Sequence, residues 1–204
     1  MNSKEPLLIL CGGLSRRMGT HKGLLEYQGK TLLQRMFDLS PNPIYMAAAG
    51  DYFPDLVGPC KYLSDAFPNR IGPLSGILAG LEEAKSAGYQ GIYVMACDTL
   101  LDPQAVIHLL DKAQTDSIWH TGIVYLKGND KNYPLLSHWS IKQIPFLREY
   151  LEADQRKVQV YIGTQDHVSI SLPEQWQALS NFNTPEAFEQ AVKTSIENEY
   201  YTPR

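Results

Sequence analysis

Short apolar runs that alternate with helical patterns limit the possible folds of this chain more than any other feature of its sequence. A short apolar run that ends in glycine or polar residues is typical of a strand buried on both faces. Five segments have this form: Leu7–Cys11, Ile44–Ala48, Cys60–Leu63, Ile92–Cys97 and Ile118–Leu126. The alternation predicts an α/β fold with a mostly parallel sheet and helices on both faces, a three-layer α/β/α arrangement.

Two segments between these strands carry apolar residues at the helical spacing i, i+3, i+4, i+7. They are Leu74-Ile77-Leu78-Leu81 and Val106-Leu109-Leu110-Ala113. Pro73 suits the first position of the earlier helix. Asp102 is the expected N-cap of the later one, because its carboxylate can accept from a free backbone N–H.

The last third of the chain is less regular. We expect a strand at Pro134–His138, a helix over Ile141–Leu151 that Pro145 weakens or delays, and a terminal helix that begins at Pro185. The terminal helix should turn Phe188, Ala191 and Val192 inward and fray after Ile196. With 204 residues and neither repeats nor long linkers, the chain is expected to form one domain over residues 1–204.

Composition excludes several classes of protein. The net charge of −4 argues against a general nucleic-acid surface. The N-terminus has only a short apolar strand, which supports neither a signal peptide nor a membrane span. Cys11, Cys60 and Cys97 are odd in number and widely spaced. This pattern favours reduced thiols in a cytoplasmic protein, with Cys11 and Cys97 as small buried residues at strand ends.

The first strand runs into paired glycines and a basic loop, Cys11-Gly12-Gly13-Leu14-Ser15-Arg16-Arg17-Met18-Gly19-Thr20-His21-Lys22. Glycines let backbone N–H groups approach an anion, and successive N–H groups can form a nest for phosphate. Arg16, Arg17 and Lys22 add positive charge. The loop therefore indicates a nucleoside triphosphate at the sheet edge, although a tight turn with solvated arginines is the alternative.

Two carboxylates, Asp65 and Asp98, directly follow predicted strands. The carboxyl ends of parallel strands lie along one edge of the sheet, where ligands bind, so both should lie near the basic loop. Beside a phosphate loop, Asp98 is placed to hold Mg²⁺, with Asp65 in support; the alternative for each is a capping or turn aspartate. The loop Gly72-Pro73 begins a helix whose N-terminus could also face the ligand.

The loop Leu10-Cys11-Gly12-Gly13, followed by Arg17-Met18-Gly19 and Lys22, resembles the signature of the molybdenum cofactor guanylyltransferases. Gly72-Pro73-Leu74 and Cys97-Asp98-Thr99 extend the resemblance along the chain. It implies the Rossmann-like fold of the nucleotide-diphospho-sugar transferases and transfer of GMP from GTP to molybdopterin, with release of pyrophosphate. The implied cofactor is Mg²⁺, and the implied location is the cytoplasm. Transient docking to proteins that deliver molybdopterin or mature molybdoenzymes is a further expectation.

The same resemblance assigns residues to roles. Asp98 would bind Mg²⁺, Asp65 the nucleotide, and Lys22 with Arg17 the departing pyrophosphate. The strand end that meets the nucleotide would be Leu10, Cys11, Gly12 and Gly13. In the C-terminal half, Arg156, Lys157, Asn181 and Asn183 resemble the family's pterin side. The N-terminal half would thus hold nucleotide and metal, and the C-terminal half the acceptor.

Three departures from the family pattern carry consequences. His21 stands where an aspartate commonly precedes the lysine, which removes a possible orienting carboxylate. Leu100 replaces the proline that usually follows Cys-Asp-Thr. The stretch Tyr45–Gly50 lacks an asparagine often used near the base, which weakens the case for strict guanine selectivity.

Other functions remain open from the sequence. One keeps the fold but changes the substrates, to a molybdopterin cytidylyltransferase or a sugar-phosphate nucleotidyltransferase. Another is a non-catalytic protein that binds nucleotide or hands over the cofactor. A nucleotide panel and an assay for pyrophosphate distinguish these.

Overall fold

The computed structural model describes residues 4–12, 21–67 and 72–199. The strands are β1 (Leu7–Leu10), β2 (Glu26–Tyr27), β3 (Lys30–Thr31), β4 (Ile44–Ala47), β5 (Lys61–Leu63), β6 (Gly91–Ala96), β7 (Ile123–Lys127), β8 (Asn132–Ser140) and β9 (His167–Ser171). The helices are α1 (Leu32–Leu39), α2 (Pro73–Ser86), α3 (Pro103–Leu110), α4 (Ile144–Glu152), α5 (Val158–Gly163), α6 (Glu174–Gln177) and α7 (Pro185–Glu199). Short 3-10 helices cover Lys22–Leu24, Asp111–Ala113, Ser117–His120 and Ile141–Gln143.

Seven strands form one sheet in the order β5-β4-β1-β6-β8-β7-β9. β1 pairs in parallel with β4 and β6, β4 with β5, and β7 with β9. β8 is antiparallel to both of its neighbours, β6 and β7. Because β8 runs in reverse, its amino end lies at the edge where the other six strands end.

Alternation along β1 divides the core between the two faces of the sheet, as expected for side chains that point to opposite sides. Leu7 and Ile9 face a cluster that contains residues of α1, α3 and α7. Leu8 and Leu10 face a second cluster with residues of α2, α4 and α5. The three-layer α/β/α arrangement is therefore confirmed.

Most predicted elements are present, with one correction. The predicted strand Ile118–Leu126 begins only at Ile123, because Ser117–His120 forms a 3-10 helix capped by the Asp116 side chain. The apolar residues there include Trp119, which is buried against the ring of His138 rather than paired in the sheet. Asp102 caps α3 as predicted, accepting from the Gln104 N–H.

Near the C-terminus the predictions are confirmed in part. Ala191 is fully buried, and Phe188 and Val192 pack against the core. α7 continues to Glu199, and residues 200–204 lie outside the described residues, so the expected fraying after Ile196 stays a prediction. The strand predicted at Pro134–His138 lies within β8, and the helix delayed by Pro145 begins at Ile144.

The hairpin β2–β3 was not predicted from the sequence. Gln28 and Gly29 at its turn both have positive φ, 52° and 76°, the conformation of a two-residue turn that matches strand twist. Among the described residues, no helix is both long enough and apolar enough to cross a membrane. The expectation of a single domain over residues 1–204 stays a prediction.

Candidate active site

The end of β1 lies between two parallel neighbours at the carboxyl edge of the sheet. The Cys11 N–H donates to the Ala47 carbonyl (2.9 Å), and the Cys97 N–H donates to the Leu10 carbonyl (3.1 Å). Gly12 follows directly and is exposed, and a Cβ at this position would lie 3.1 Å from the Cβ of Ala49. Glycine therefore lets the backbone turn closely past the end of β4.

Lys22 and Asp98 are in direct contact, although 76 positions separate them in sequence. The Lys22 ammonium donates to Asp98 Oδ2 at 2.9 Å and to Asn183 Oδ1 at 2.7 Å. Only 16% of each side chain of the ion pair is exposed, so solvent screens it less than a surface pair. Strand polarity alone predicted this meeting, and the geometry confirms it.

The segment after β6 is joined to the C-terminal part of the chain by a short backbone ladder. The Asn181 N–H donates to the Asp98 carbonyl, and the Leu100 N–H donates to the Leu179 carbonyl, both at 2.7 Å. Thr99 forms a bridge with Ser180 between these bonds. A proline at position 100, as usual in the family pattern, would lack the N–H that bonds to Leu179. Leu100 thus adds a contact to this ladder.

The two asparagines predicted on the acceptor side lie at this ladder. Asn181 has φ of 59°, a left-handed conformation that asparagine tolerates better than most residues. Phe182 is buried and packs on Phe188, which leaves Asn181 and Asn183 exposed on either side. The Asn183 amide also donates to the Asn181 carbonyl at 3.3 Å. The buried Phe182 thus lies between two exposed asparagines, of which Asn183 contacts Lys22 through its side chain and Asn181 contacts Asp98 through its backbone N–H.

Asp65 lies two residues beyond β5, beside the first turns of α2. Its Oδ1 would be 3.8 Å from a Cβ built on Gly76. The same Cβ would lie 2.8 Å from Ala47 Cβ, so glycine is needed for α2 to pack this closely on the sheet. β5 is three strand positions from β6. At about 4.8 Å per position, Asp65 starts roughly 14 Å from the strand that carries Asp98.

Cys11 and Cys97 are buried in the core, as predicted, with 1% and 6% exposure. Burial raises the pKa of the Cys11 thiol well above its usual value, and a hydrogen bond with Cys97 raises it further. A thiol held protonated is a poor nucleophile. Cys11 and Cys97 therefore pack in the core next to Gly12 and Asp98 as small apolar residues.

A cavity of about 180 Å³ opens beside Asp98, between the end of β6 and the start of β8. Its polar wall combines Asp98, Thr99 and Asn181 with residues that the sequence did not single out. These additional polar lining residues are Lys131, Asn132, Tyr133, Gln159 and Ser180. Burial raises the pKa of the Tyr133 hydroxyl, which donates to the Gln177 carbonyl at 3.5 Å.

The structure places the remaining candidates less centrally. Arg156 is exposed and ion-paired with Asp154, and Lys157 precedes α5 with its carbonyl accepting from the Tyr150 hydroxyl at 3.2 Å. Gln159, two residues further on, lines the cavity instead. Arg17 and Gly13 lie outside the described residues. Leu10 is buried at the strand end and packs on the α2 face of the sheet.

The cavity residues on β8 escaped sequence reasoning because the prediction considered only residues that follow parallel strands. A reversed strand contributes its beginning to the same edge, and the sequence at Lys131-Asn132-Tyr133 does not show the direction of the strand. The one usable signal was the polar Asn129–Asn132 segment before an apolar run.

The side chains at this edge of the sheet offer few ligands for a metal ion. Within the described ranges no group of three or more histidine, cysteine or acidic side chains could hold one. A single partly buried carboxylate at a strand end nevertheless suits Mg²⁺, which binds one or two protein carboxylates together with substrate phosphates. Asp98 fits that pattern, whereas a closed zinc-type cage does not match the described residues.

Comparison with known proteins decides the family. The model of the MobA-like NTP transferase domain matches residues 7–168. This chain belongs to that family. It is a nucleotidyltransferase, and the matched region contains Gly12, Lys22, Asp65 and Asp98 together with the whole of β8.

Named relatives agree with this family. The chain is 29% identical over 198 residues to the molybdenum cofactor guanylyltransferase of Rhizobium meliloti, with 91% of this chain and 89% of the relative covered. It is also 29% identical over 183 residues to the enzyme of that name from Serratia proteamaculans, with 88% and 89% covered.

Solved structures confirm the fold. Molybdopterin-guanine dinucleotide biosynthesis protein A from Archaeoglobus fulgidus superposes with a TM-score of 0.75 at 19% identity, over 94% of this chain and 99% of that one. A 2-C-methyl-D-erythritol 4-phosphate cytidylyltransferase from Thermus thermophilus gives 0.61 at 10% identity, over 93% and 98%. These identities support the nucleotidyltransferase fold alone.

Proposed function

We propose that this MobA-like chain transfers GMP from GTP to molybdopterin, forming a guanine dinucleotide and releasing pyrophosphate. The observation that carries the proposal is the contact of Lys22 with Asp98 and Asn183 at the carboxyl edge of the sheet. It unites a cation for phosphate, a carboxylate for a metal ion and a residue of the acceptor side. The names of the relatives support guanylyl transfer as the specific reaction.

In this proposal the triphosphate lies along the end of β1. The backbone N–H groups of Gly12 and Gly13 would cradle phosphate, and Arg17 and Lys22 would offset the charge that develops on the departing pyrophosphate. Asp65, roughly 14 Å along the edge from β6, would contact the nucleoside end of the nucleotide rather than the reacting phosphate.

Asp98 is the residue we assign to Mg²⁺, with substrate phosphates supplying the other oxygens. When bound, the ion would neutralise phosphate charge and orient the α-phosphate. Lys22 already neutralises Asp98 in the free protein. We infer an exchange of partners on binding, in which the Lys22 ammonium turns from Asp98 to the triphosphate and frees the carboxylate.

The acceptor would occupy the cavity beside Asp98. Its terminal phosphate oxygen attacks the α-phosphorus of GTP, the new P–O bond forms, and the bond to the β-phosphate oxygen breaks. The attacking oxygen is already anionic, so no general base is needed, and positioning supplies much of the rate. Lys131 and Asn181 offer donors to the acceptor, and Arg156 and Lys157 would add positive charge further out.

The direct experiment incubates the protein with GTP, Mg²⁺ and molybdopterin and measures pyrophosphate. Release that requires all three supports the proposal. Nucleotide binding without release would favour a non-catalytic role. Cytoplasmic location and transient docking to molybdopterin-handling proteins remain part of the proposal.

A second candidate keeps the chemistry but changes the base. Ala49, beside Gly12, occupies the stretch where an asparagine is often found near the base, and this favours testing CTP beside GTP. Thermal shifts with GTP, CTP, UTP and ATP separate the two, because selective binding raises stability by mass action. The proposal expects the largest shift with GTP.

A further inference from the structure

The His21 imidazole is hydrogen-bonded on both of its nitrogens. Nε2 lies 2.6 Å from the Cys11 carbonyl oxygen, and Nδ1 lies 3.2 Å from the Gly23 backbone nitrogen. A carbonyl can only accept and a backbone N–H can only donate, so the partners define the tautomer. The proton is on Nε2, and Nδ1 keeps its lone pair.

The Nε2 bond joins the two chain segments that flank residues 13–20, and the Nδ1 bond lies within the second of these segments. Cys11 is the buried residue directly after β1, and Gly23 follows Lys22 in the first 3-10 helix. The edge of the ring packs against Phe53 at 4.9 Å between centroids, which fixes its plane. Gly23 is held closely as well, since a Cβ there would lie 2.7 Å from Leu33 and 3.3 Å from His21 Nδ1.

Lys22 is therefore anchored from both sides. Its own backbone lies between the histidine and the glycine that the imidazole contacts, while its ammonium reaches Asp98. Loss of the imidazole would free the backbone on which the Lys22 side chain depends. The bond from His21 Nε2 to the Cys11 carbonyl also holds the Lys22 backbone close to the end of β1, which we assign to phosphate.

We propose that His21 is a positioning residue for nucleotidyl transfer, acting through Lys22 by holding it in register with the end of β1. This inference rests on the proposed function for the role of Lys22. An aspartate at position 21 could accept from the Gly23 N–H, but it has no proton for the Cys11 carbonyl. The imidazole thus replaces the orienting carboxylate and adds a second tether.

The test combines kinetics with a measurement on the free protein. His21→Ala is expected to lower kcat/KM for GTP about tenfold, because two hydrogen bonds that hold Lys22 are lost, and to leave KM for the acceptor unchanged. His21→Asn keeps an acceptor near Nδ1 but cannot reach Cys11, so it should recover part of the loss. His108→Ala, an exposed histidine on α3, is the control and should match the wild type.

A double-mutant cycle separates positioning from general destabilisation. In a Lys22→Met background, His21→Ala should reduce kcat/KM less than twofold, because its route of action is already gone. An equal tenfold loss in both backgrounds would overturn the inference. Values for His21→Ala within twofold of the wild type would do the same.

Nitrogen-15 NMR of the free protein tests the two His21 hydrogen bonds without an activity assay. The expected spectrum has a protonated Nε2 and an unprotonated Nδ1 on His21, and slow hydrogen exchange at the Gly23 amide that becomes fast in His21→Ala. A protonated Nδ1 in the neutral ring would refute the geometry. If the wild type made no pyrophosphate but the NMR spectra were as expected, the proposed reaction would be wrong, while the two His21 hydrogen bonds would be confirmed.

Discussion

The proposed nucleotide side and the proposed acceptor side of this site are built in different ways. On the nucleotide side, Gly12, Asp65 and Asp98 follow parallel strands directly, so short stretches of backbone fix their positions. On the acceptor side, β8 enters in reverse, and the segment around Asn181 reaches the site from far along the chain by pairing with residues after β6. The first kind of site can be predicted from sequence, whereas the second depends on tertiary contacts.

The two sides meet at Asp98, which contacts Lys22 through its carboxylate and Asn181 through its carbonyl. We expect the largest effect here. Asp98→Asn should lower pyrophosphate release at least about a hundredfold, because a neutral amide oxygen binds a divalent ion far more weakly than a carboxylate and does not balance its charge. Asp102→Asn is a matched control, since asparagine caps a helix as well as aspartate does. Activity of Asp98→Asn within threefold of the wild type would refute the metal role.

Removal of the cation should affect the nucleotide side alone. Lys22→Met keeps the apolar stem but loses a charge-assisted bond to phosphate, so we expect kcat/KM for GTP to fall about thirtyfold. The control is Lys30→Met, which removes an exposed lysine paired with Asp38. Steady-state kinetics at varied GTP give the result. A rise in the KM for the acceptor, with GTP kinetics intact, would contradict the division between the sides.

A cavity lysine should show the opposite selectivity. Lys131→Met removes a positive charge from the cavity wall, and we expect the KM for molybdopterin to rise about fivefold while the KM for GTP stays constant. Lys127→Met, an exposed lysine of the same hairpin, serves as the control. Equal effects of the two variants would place the acceptor elsewhere.

The smallest effect on activity, but a clear one on stability, is expected at Gly76. Gly76→Ala would force a Cβ to within 2.8 Å of Ala47 Cβ. We expect the free energy of unfolding to fall by about 1–3 kcal/mol, as for other overpacked core positions. Gly163→Ala, where the new Cβ meets nothing within 4 Å, is the control. Urea denaturation of both variants measures the difference, and equal stability would mean that α2 can move away from the sheet.

Sequence reasoning found the residues whose position follows from strand polarity. The meeting of Lys22 with Asp98 required only that β1 and β6 run the same way, as adjacent parallel strands. The roles assigned to these residues stay predictions. The hairpin β2–β3 was missed because Gln28-Gly29 lacks the Asn-Gly or Asp-Gly signal of such turns.

Other features could not be predicted because they join distant parts of the chain. No local sequence pattern in segments 98–100 or 179–181 indicates that the two segments pair. The hydrogen bonds of His21 were not predicted either: the sequence shows only the absence of a carboxylate, while the structure shows an imidazole that bonds through both nitrogens. Tertiary contacts, rather than local sequence, determine each of these features.

The most direct test of the central claim is a crystal structure of the protein with a non-hydrolysable GTP analogue and Mn²⁺, whose anomalous signal locates the ion. We predict that an Asp98 oxygen binds the ion directly and that the Lys22 ammonium has left Asp98 for a triphosphate oxygen. A nucleotide bound away from the end of β1, or an unbroken ion pair between Lys22 and Asp98 with nucleotide in place, would contradict the account.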